Sequence, residues 1–261
     1  MAAMGQITTA RGVIGVDETG GGARTPLIFL HGVGSDKSVW WPQLGHFGGT
    51  RRTVAFDYPG YGESQFADDA TRDDFAFAIL AAMNSLDILR AHICGLSLGG
   101  VVALALHHAE PDRCVSLILA GSFAIHPDGR AIYDRSVAAS DDMAAMAHAR
   151  VPALVAAGTD PALCGMLIAK MAAINPAAFR LGARAVWLAD QRDRLAAIAV
   201  PTLVIVGADD RITPPALSDA LAIAIAGAEN VEIAGAGHLA NIDRSAAFNT
   251  AIDRFLARID Q

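Results

Sequence analysis

Between His92 and Leu104 the chain passes from a short apolar segment through Gly95-Leu96-Ser97-Leu98-Gly99 into an Ala/Leu-rich stretch. A G-x-S-x-G pentapeptide with a strand before it and a helix after it requires the backbone to reverse within about three residues. Such a turn forces its central residue into a strained conformation. Glycines two positions before and two after leave space where β-carbons would collide. The serine hydroxyl is then held clear of the main chain, at the positive end of a helix. The same five residues also suit an ordinary strand–loop–helix connection with an incidental serine. A catalytic reading therefore needs a base, an acid and oxyanion donors in a compatible order elsewhere.

The rest of the chain supplies the matching framework. Short β-branched runs alternate with longer helical patterns, the signature of a mostly parallel, doubly wound α/β sheet covered by helices. Strand character is read at Ile7–Val16, Leu27–Leu30, Thr53–Phe56, Ala91–Cys94, Val115–Leu119, Thr202–Val206 and Val231–Ala234, with Gly20-Gly21-Gly22 as a loop. Helical spacing predicts a helix over Arg72–Leu89, with Phe75, Ile79, Met83 and Leu86 on one face. A closing amphipathic helix carries Phe248, Ile252, Phe255, Leu256 and Ile259. From Ser122 to about Ile198 no strand is evident, and helices separated by Pro127, Pro152, Pro161 and Pro176 are expected. The division predicted is a core of residues 1–121 and 199–261 with a helical cap at 122–198. A cap so placed lies over the carboxyl ends of the strands, where open α/β sheets bind ligands.

An apolar fraction of 53% with 18% charged residues describes a well-cored globule, and 261 residues suffice for one large domain. No stretch approaches the ~18 uninterrupted apolar residues of a membrane span, and the start lacks a charged-then-apolar signal pattern. The expected location is cytoplasmic. The three cysteines, Cys94, Cys114 and Cys164, are too few and too scattered for a disulfide framework or a zinc knuckle. Cys94 and Cys114 read as small buried hydrophobes. The net charge of −7 without a basic cluster argues against nucleic acid and anionic membranes as partners. No cofactor or metal is expected, and self-association into a homo-oligomer stays open.

A serine hydroxyl is a poor nucleophile at neutral pH and needs a base beside it. His238 is the best placed of the eight histidines. It lies in Gly235-Ala236-Gly237-His238-Leu239-Ala240-Asn241, directly after the last strand. The acid is expected at another strand end, in Gly207-Ala208-Asp209-Asp210-Arg211-Ile212-Thr213-Pro214. Both aspartates there can orient an imidazole. The Gly-x-x-Asp-x-x-x-Pro spacing, frequent at this loop in serine hydrolases, favours Asp210 over Asp209. Ala120-Gly121-Ser122-Phe123, after another strand, offers no carboxylate. An oxyanion hole needs two backbone donors. The Leu98 amide and the Val33 amide, in the turn His31-Gly32-Val33-Gly34, are the expected pair, with His31 in a buried hydrogen-bonding role.

These motifs, in this order, resemble the α/β-hydrolase fold family: His31-Gly32-Val33-Gly34, Asp57-x-x-Gly60-x-Gly62-x-Ser64, Gly95-x-Ser97-x-Gly99, then Asp210 and His238. The resemblance spans nearly the whole chain. Within the family the chain is similar to compact-cap bacterial 3-oxoadipate enol-lactonases and carboxylesterases, which implies a Ser97–Asp210–His238 triad acting on a small ester or lactone. Pro59 and Tyr61 stand where relatives often carry Arg and His. Cleavage of a C–C bond beside a ketone, or perhydrolysis, would use the same triad, and a non-catalytic ligand-binding protein on this fold is the reading from a different class. For the pocket, Trp40, Phe123 and Trp187 are singled out, together with Met143, Met146, Met166, Met171 and Phe179. An enol-lactonase further implies a cation for its carboxylate substrate, and Arg130, Arg135, Arg150, Arg180 and Arg184 lie in the cap.

Overall fold

The computed structural model describes residues 3–260. Its strands are β1 (Ala3–Thr9), β2 (Gly12–Thr19), β3 (Leu27–Leu30), β4 (Thr53–Phe56), β5 (Ala91–Leu96), β6 (Cys114–Ala120), β7 (Thr202–Gly207) and β8 (Glu229–Ile233). They form one eight-stranded sheet in the order β1-β2-β4-β3-β5-β6-β7-β8. The β1–β2 and β2–β4 pairs are antiparallel, and every pair from β4 to β8 is parallel. All residues of β3, β4, β5 and β7 are buried. Strands covered by helices on both faces need continuous apolar runs of this kind. From β3 the chain crosses to β4 on one side and later to β5 on the other. The carboxyl ends of β3 and β5 therefore border a crevice at a topological switch point.

Helix Leu98–Ala109 leaves the end of β5, and its residues from Leu98 to His107 are buried. Helix Arg72–Ser85 opens with a capping box: Thr71 accepts from the Asp74 amide while the Asp74 side chain accepts from the Thr71 amide. Helices Gly129–Ala139, Met143–Leu154, Pro161–Ala172, Pro176–Trp187 and Arg192–Leu195 lie between β6 and β7 in the chain, within the expected cap segment. Among the described residues no single helix is long and apolar enough to cross a membrane.

The structure departs from the sequence expectations in four places. The strand expected across Ile7–Val16 is a hairpin, in which Gly12 takes φ +102° and Thr9 Oγ1 donates to the Gly12 carbonyl at 2.8 Å. The helix predicted to reach Leu89 ends at Ser85, because Asp87 adopts a left-handed φ of 54° and the Ile88 amide turns back to the Met83 carbonyl. Pro152 does not separate helices but lies inside Met143–Leu154. In the last turn its missing N–H and ring disturb little helix beyond it. Trp40, expected in the substrate pocket, belongs to the core. It is fully buried, stacked on Phe29 at 4.8 Å and 6.2 Å from Phe248.

Trp40 thus joins the sheet to the closing helix Ser245–Leu256. Truncation by Trp40→Ala is expected to cost about 3–5 kcal/mol in denaturant unfolding, because the surrounding rings cannot collapse into the space.

Candidate active site

Ser97 occupies the bend between β5 and its helix with φ 56° and ψ −113°, a conformation costly for any residue with a β-carbon. The strain is sustained by its neighbours. The Ser97 amide donates to the Ala120 carbonyl at 2.8 Å, and Ser122 Oγ donates to the Ser97 carbonyl at 3.2 Å. A β-carbon on Gly95 would overlap the Gly99 carbonyl, and one on Gly99 would overlap the Leu30 carbonyl oxygen. Glycine at these two positions lets the helix start press directly against β3. The Ser97 hydroxyl is buried and makes no hydrogen bond among the described residues.

The turn after β3 lies alongside. A β-carbon built on Gly32 would meet Ser97 Cβ at 3.4 Å, placing the 31–34 turn against the bend. Leu98 heads its helix, and among the described residues neither its amide nor that of Val33 has a hydrogen-bond acceptor. His31 is wholly buried, with Nδ1 2.9 Å from the Gly32 carbonyl and its ring against those of Tyr58 and Tyr61. Burial pushes its pKa down, which suits a neutral ring shaping the turn.

Below the turn is a network that sequence reading left without a role. Asp57 accepts from the Lys37 amide at 2.7 Å, the Glu63 amide at 3.0 Å and Lys37 Nζ at 3.2 Å. Burial works against the Lys37 charge, but Asp57, Glu63 and Asp17 raise its pKa overall. The Asp57-x-x-Gly60-x-Gly62-x-Ser64 motif is the signal for this network. Gly62 leaves space beside the Asp57 carboxylate, and Ser64 Oγ donates to the Asp57 carbonyl at 3.0 Å.

Asp210 and His238 project from the ends of β7 and β8. Asp210 Oδ2 lies 2.8 Å from His238 Nδ1 and accepts from Thr213 Oγ1 at 2.8 Å. Its Oδ1 accepts from the amides of Ile212 (2.8 Å) and Thr213 (2.9 Å). Burial works to raise the Asp210 pKa, but His238 and the Thr213 donors outweigh it and hold the carboxyl below its ordinary value. An ionised carboxylate only accepts, so His238 Nδ1 is the donor in this contact. Asp209 is exposed and its side chain makes no contact with His238. Gly121, after β6, brings the chain past both groups: its β-carbon position is 3.2 Å from the imidazole and 3.4 Å from Asp210 Oδ2.

Two spaces lie nearby, the smaller reaching His238 and the larger bordered by Arg211 and Ile212 beside Asp210. A small cavity of about 30 Å³ is bordered by Gly32, Val33, Leu96, Arg150, Met171 and His238. A larger cleft of about 570 Å³ is bordered by residues including Ile132, Arg135, Met146, Arg150, Trp187 and Arg211. Its size is that of an ordinary small-molecule site. Arg150 borders both. Of the expected pocket residues, Trp187 and Met146 line the cleft, and Phe123 is buried and stacked on Trp187 at 5.9 Å. Met166 is exposed, while Met143 and Phe179 are buried away from the cleft wall. Arg130, Arg180 and Arg184 are tied to Asp134, Asp141 and Asp69, respectively.

Residues 27–251 match the alpha/beta hydrolase family. The enol-lactonase of Burkholderia xenovorans LB400 superposes with a TM-score of 0.91 at 27% identity, covering 97% of this chain and 100% of that one. A thermophilic esterase from Thermogutta terrifontis, solved with malate bound, also reaches 0.91, at 26% identity with 100% of both chains covered. In sequence, 3-oxoadipate enol-lactonase 1 of Acinetobacter baylyi is 32% identical over 98 residues, which are 38% of this chain and 37% of that protein. The first curated relatives are thus matched over only 39% and 37% of their own lengths.

The contact between Gly99 and the Leu30 main chain fixes the bend. Gly99→Ala is expected to destabilise the protein by about 1–3 kcal/mol through overpacking. Gly165→Ala, within a helix where a β-carbon meets nothing, is expected to raise stability by about 0.5–1 kcal/mol. Thermal unfolding of the two variants checks both signs.

Proposed function

Because the chain belongs to the alpha/beta hydrolase family, we propose that it is a serine hydrolase cleaving a small carboxylic ester or lactone through an acyl-enzyme on Ser97. The observation that carries this reading is the Asp210–His238 contact at 2.8 Å, on the sheet edge that also presents the strained Ser97. The similarity to an enol-lactonase and an esterase over whole chains supports the class of bond.

His238 Nε2 takes the Ser97 proton as Oγ attacks the substrate carbonyl. The amides of Val33 and Leu98 donate to the oxygen of the tetrahedral intermediate, where negative charge develops. His238 passes the proton to the departing alkoxide, and in a lactone that alcohol stays attached to the acyl group. Water, deprotonated by His238, then attacks the acyl carbonyl, and collapse of the second intermediate returns the proton to Ser97. Asp210 holds the imidazole in its working tautomer and balances the charge it acquires. Serine as the nucleophile places the covalent intermediate at the ester level, which one water molecule resolves without a cofactor.

A fluorophosphonate probe is expected to label Ser97, with p-nitrophenyl acetate turned over by the unmodified protein. Ser97→Ala should abolish labelling and lower kcat by about 10⁶-fold, with an unchanged circular dichroism spectrum. Absence of both labelling and turnover in the parent protein overturns the proposal. Asp210→Asn should lower kcat by about 10⁴-fold because the imidazole loses its tautomer. Asp209→Asn, on an exposed side chain, should leave kcat unchanged. A larger loss from Asp209→Asn than from Asp210→Asn would show Asp209, not Asp210, to be the acid.

A further inference from the structure

Lys37 sits among three carboxylates just past the 31–34 turn. Its Nζ is 2.7 Å from Glu63 Oε2, 3.2 Å from Asp57 Oδ2 and 3.8 Å from Asp17 Oδ1. Lys37, Asp57 and Asp17 are all buried. The backbones of Gly15 and Gly62 close on Asp57 Oδ2 so tightly that a β-carbon on either would overlap it. Both Asp57 oxygens are engaged as well, Oδ1 by the Lys37 amide and Oδ2 by Lys37 Nζ and the Glu63 amide. A buried carboxylate held in this way depends on its cation, because removing one partner leaves a charge with neither water nor counter-charge.

The base beside that carboxylate is His31, whose Nε2 lies 3.9 Å from Asp57 Oδ1, too far for a hydrogen bond. Nε2 is buried and has no partner among the described residues. Nδ1 lies 2.9 Å from the Gly32 carbonyl, which only accepts, so Nδ1 carries a hydrogen. A second hydrogen on Nε2 would bury a cation with one N–H unsatisfied. The ring is therefore neutral and braced on Gly32. That brace bears on the oxyanion turn, because the Gly32 carbonyl and the Val33 amide are the two ends of one planar trans peptide. A hydrogen bond that holds the oxygen also sets the direction of the N–H. Besides Asp57, the titratable groups facing His31 are Asp36, Lys37, Tyr58 and Tyr61. Asp36 is paired with Lys170 at 3.3 Å, and burial raises both tyrosines, so neither ionises. Burial is the largest influence on His31 and lowers its pKa; Asp57 opposes it, and Lys37 adds to the lowering.

We propose that Lys37 is a positioning residue: by holding the Asp57 carboxylate it keeps a proton off His31 Nε2, and so keeps the Gly32–Val33 peptide braced with its N–H free for the oxyanion. The reaction served rests on the serine-hydrolase reading, whereas the coupling of Lys37, Asp57 and His31 stands on their contacts alone. Without the ammonium, Asp57 lacks its counter-charge and draws a proton from solvent onto His31. Nε2 then becomes a donor, and its 3.9 Å gap to Asp57 closes by about 1 Å to hydrogen-bond length. The ring moves toward the end of β4 and carries the Gly32 carbonyl with it, turning the Val33 amide. Oxyanion donors act on the transition state, so the loss falls on kcat rather than KM. Since His31 is charged below its raised pKa, the loss is present at low pH and disappears as pH rises through that value.

Imidazole nitrogen NMR shifts test this directly, with His31 assigned by the signal lost in His31→Gln. In the parent protein His31 is expected to be neutral, with its hydrogen on Nδ1, from about pH 5 to 9. In Lys37→Gln, which keeps a donor against Asp57 and Glu63 but removes the charge, it should titrate within that range. With p-nitrophenyl acetate, Lys37→Gln should show kcat about 10²-fold below the parent near the acid end, with little change in KM. The ratio of the two kcat values should approach one at the alkaline end. Lys37→Arg keeps the charge, and a cleft of about 440 Å³ bordering Lys37 gives the longer side chain room, so it should restore both neutral His31 and kcat. His31 titrating in the parent overturns the proposal without any variant having to fold. So does His31 staying neutral in a folded Lys37→Gln, or a loss of kcat equal at every pH. A His31 that titrates only when Lys37 is replaced, in a protein that turns over no ester, sustains the coupling and sinks the hydrolase. Ester turnover with a loss independent of pH sustains the hydrolase and sinks the positioning role.

Discussion

The close approach of Gly99 to the Leu30 carbonyl is the contact on which the site depends. With no β-carbon in the way, the helix after β5 begins against the end of β3, and the Leu98 amide comes beside the 31–34 turn. The bend this requires places Ser97 at φ 56°, at a cost on the order of 1–3 kcal/mol. Hydrogen bonds to Ala120 and Ser122 on the neighbouring strand end hold it there. A strained residue survives when surrounding structure over-determines it, and here three adjacent strand ends do so.

The 31–34 turn needs its own anchor, because the Val33 amide takes no part in holding it. Asp57 supplies it from the other side. By accepting from the Lys37 amide and Lys37 Nζ, it ties the segment just past the turn to the end of β4. The Tyr58 hydroxyl donates to the His31 carbonyl at 3.1 Å and fixes the start of the same turn. Tyr61 packs beside this turn. Its ring packs in the aromatic group with His31, Tyr58 and Phe75, where a charge would be costly to bury.

How much of this the sequence carried depends on the range of the interaction involved. The Ser97 bend, the Asp210 loop and the His238 loop are legible because each is a local run in which glycine and turn residues follow an apolar strand. The hairpin at Gly12 was hidden because Ile7–Val16 keeps strand character on both sides of a two-residue turn. Trp40 illustrates a different limit. A large ring after a strand end reads equally as a pocket wall or as core, and only the positions of Phe29 and Phe248 decide it. Arg150 is the extreme case. Nothing in its neighbourhood along the chain separates it from Arg180 or Arg184, because the difference lies in which arginines find an aspartate across the fold.

The helices between β6 and β7 are joined to the His238 loop by hydrogen bonds. The Leu239 amide, next to His238, donates to the Leu154 carbonyl at 2.9 Å, at the end of the helix that carries Arg150. Asp243 Oδ2 accepts from the amides of Gly237 and Ala156, each at 2.8 Å, and so clamps the histidine loop to the segment leaving that helix. Three hydrogen bonds thus fix the end of Met143–Leu154 relative to His238. Arg150 lies one turn before that end, so its distance from the base is set by rigid helix and a stitched loop. A cap that swung open at this point would have to break those bonds and leave the Asp243 carboxylate with buried amides unpaired. Arg135 and Arg211, which border the large cleft, have no ion pair among the described residues.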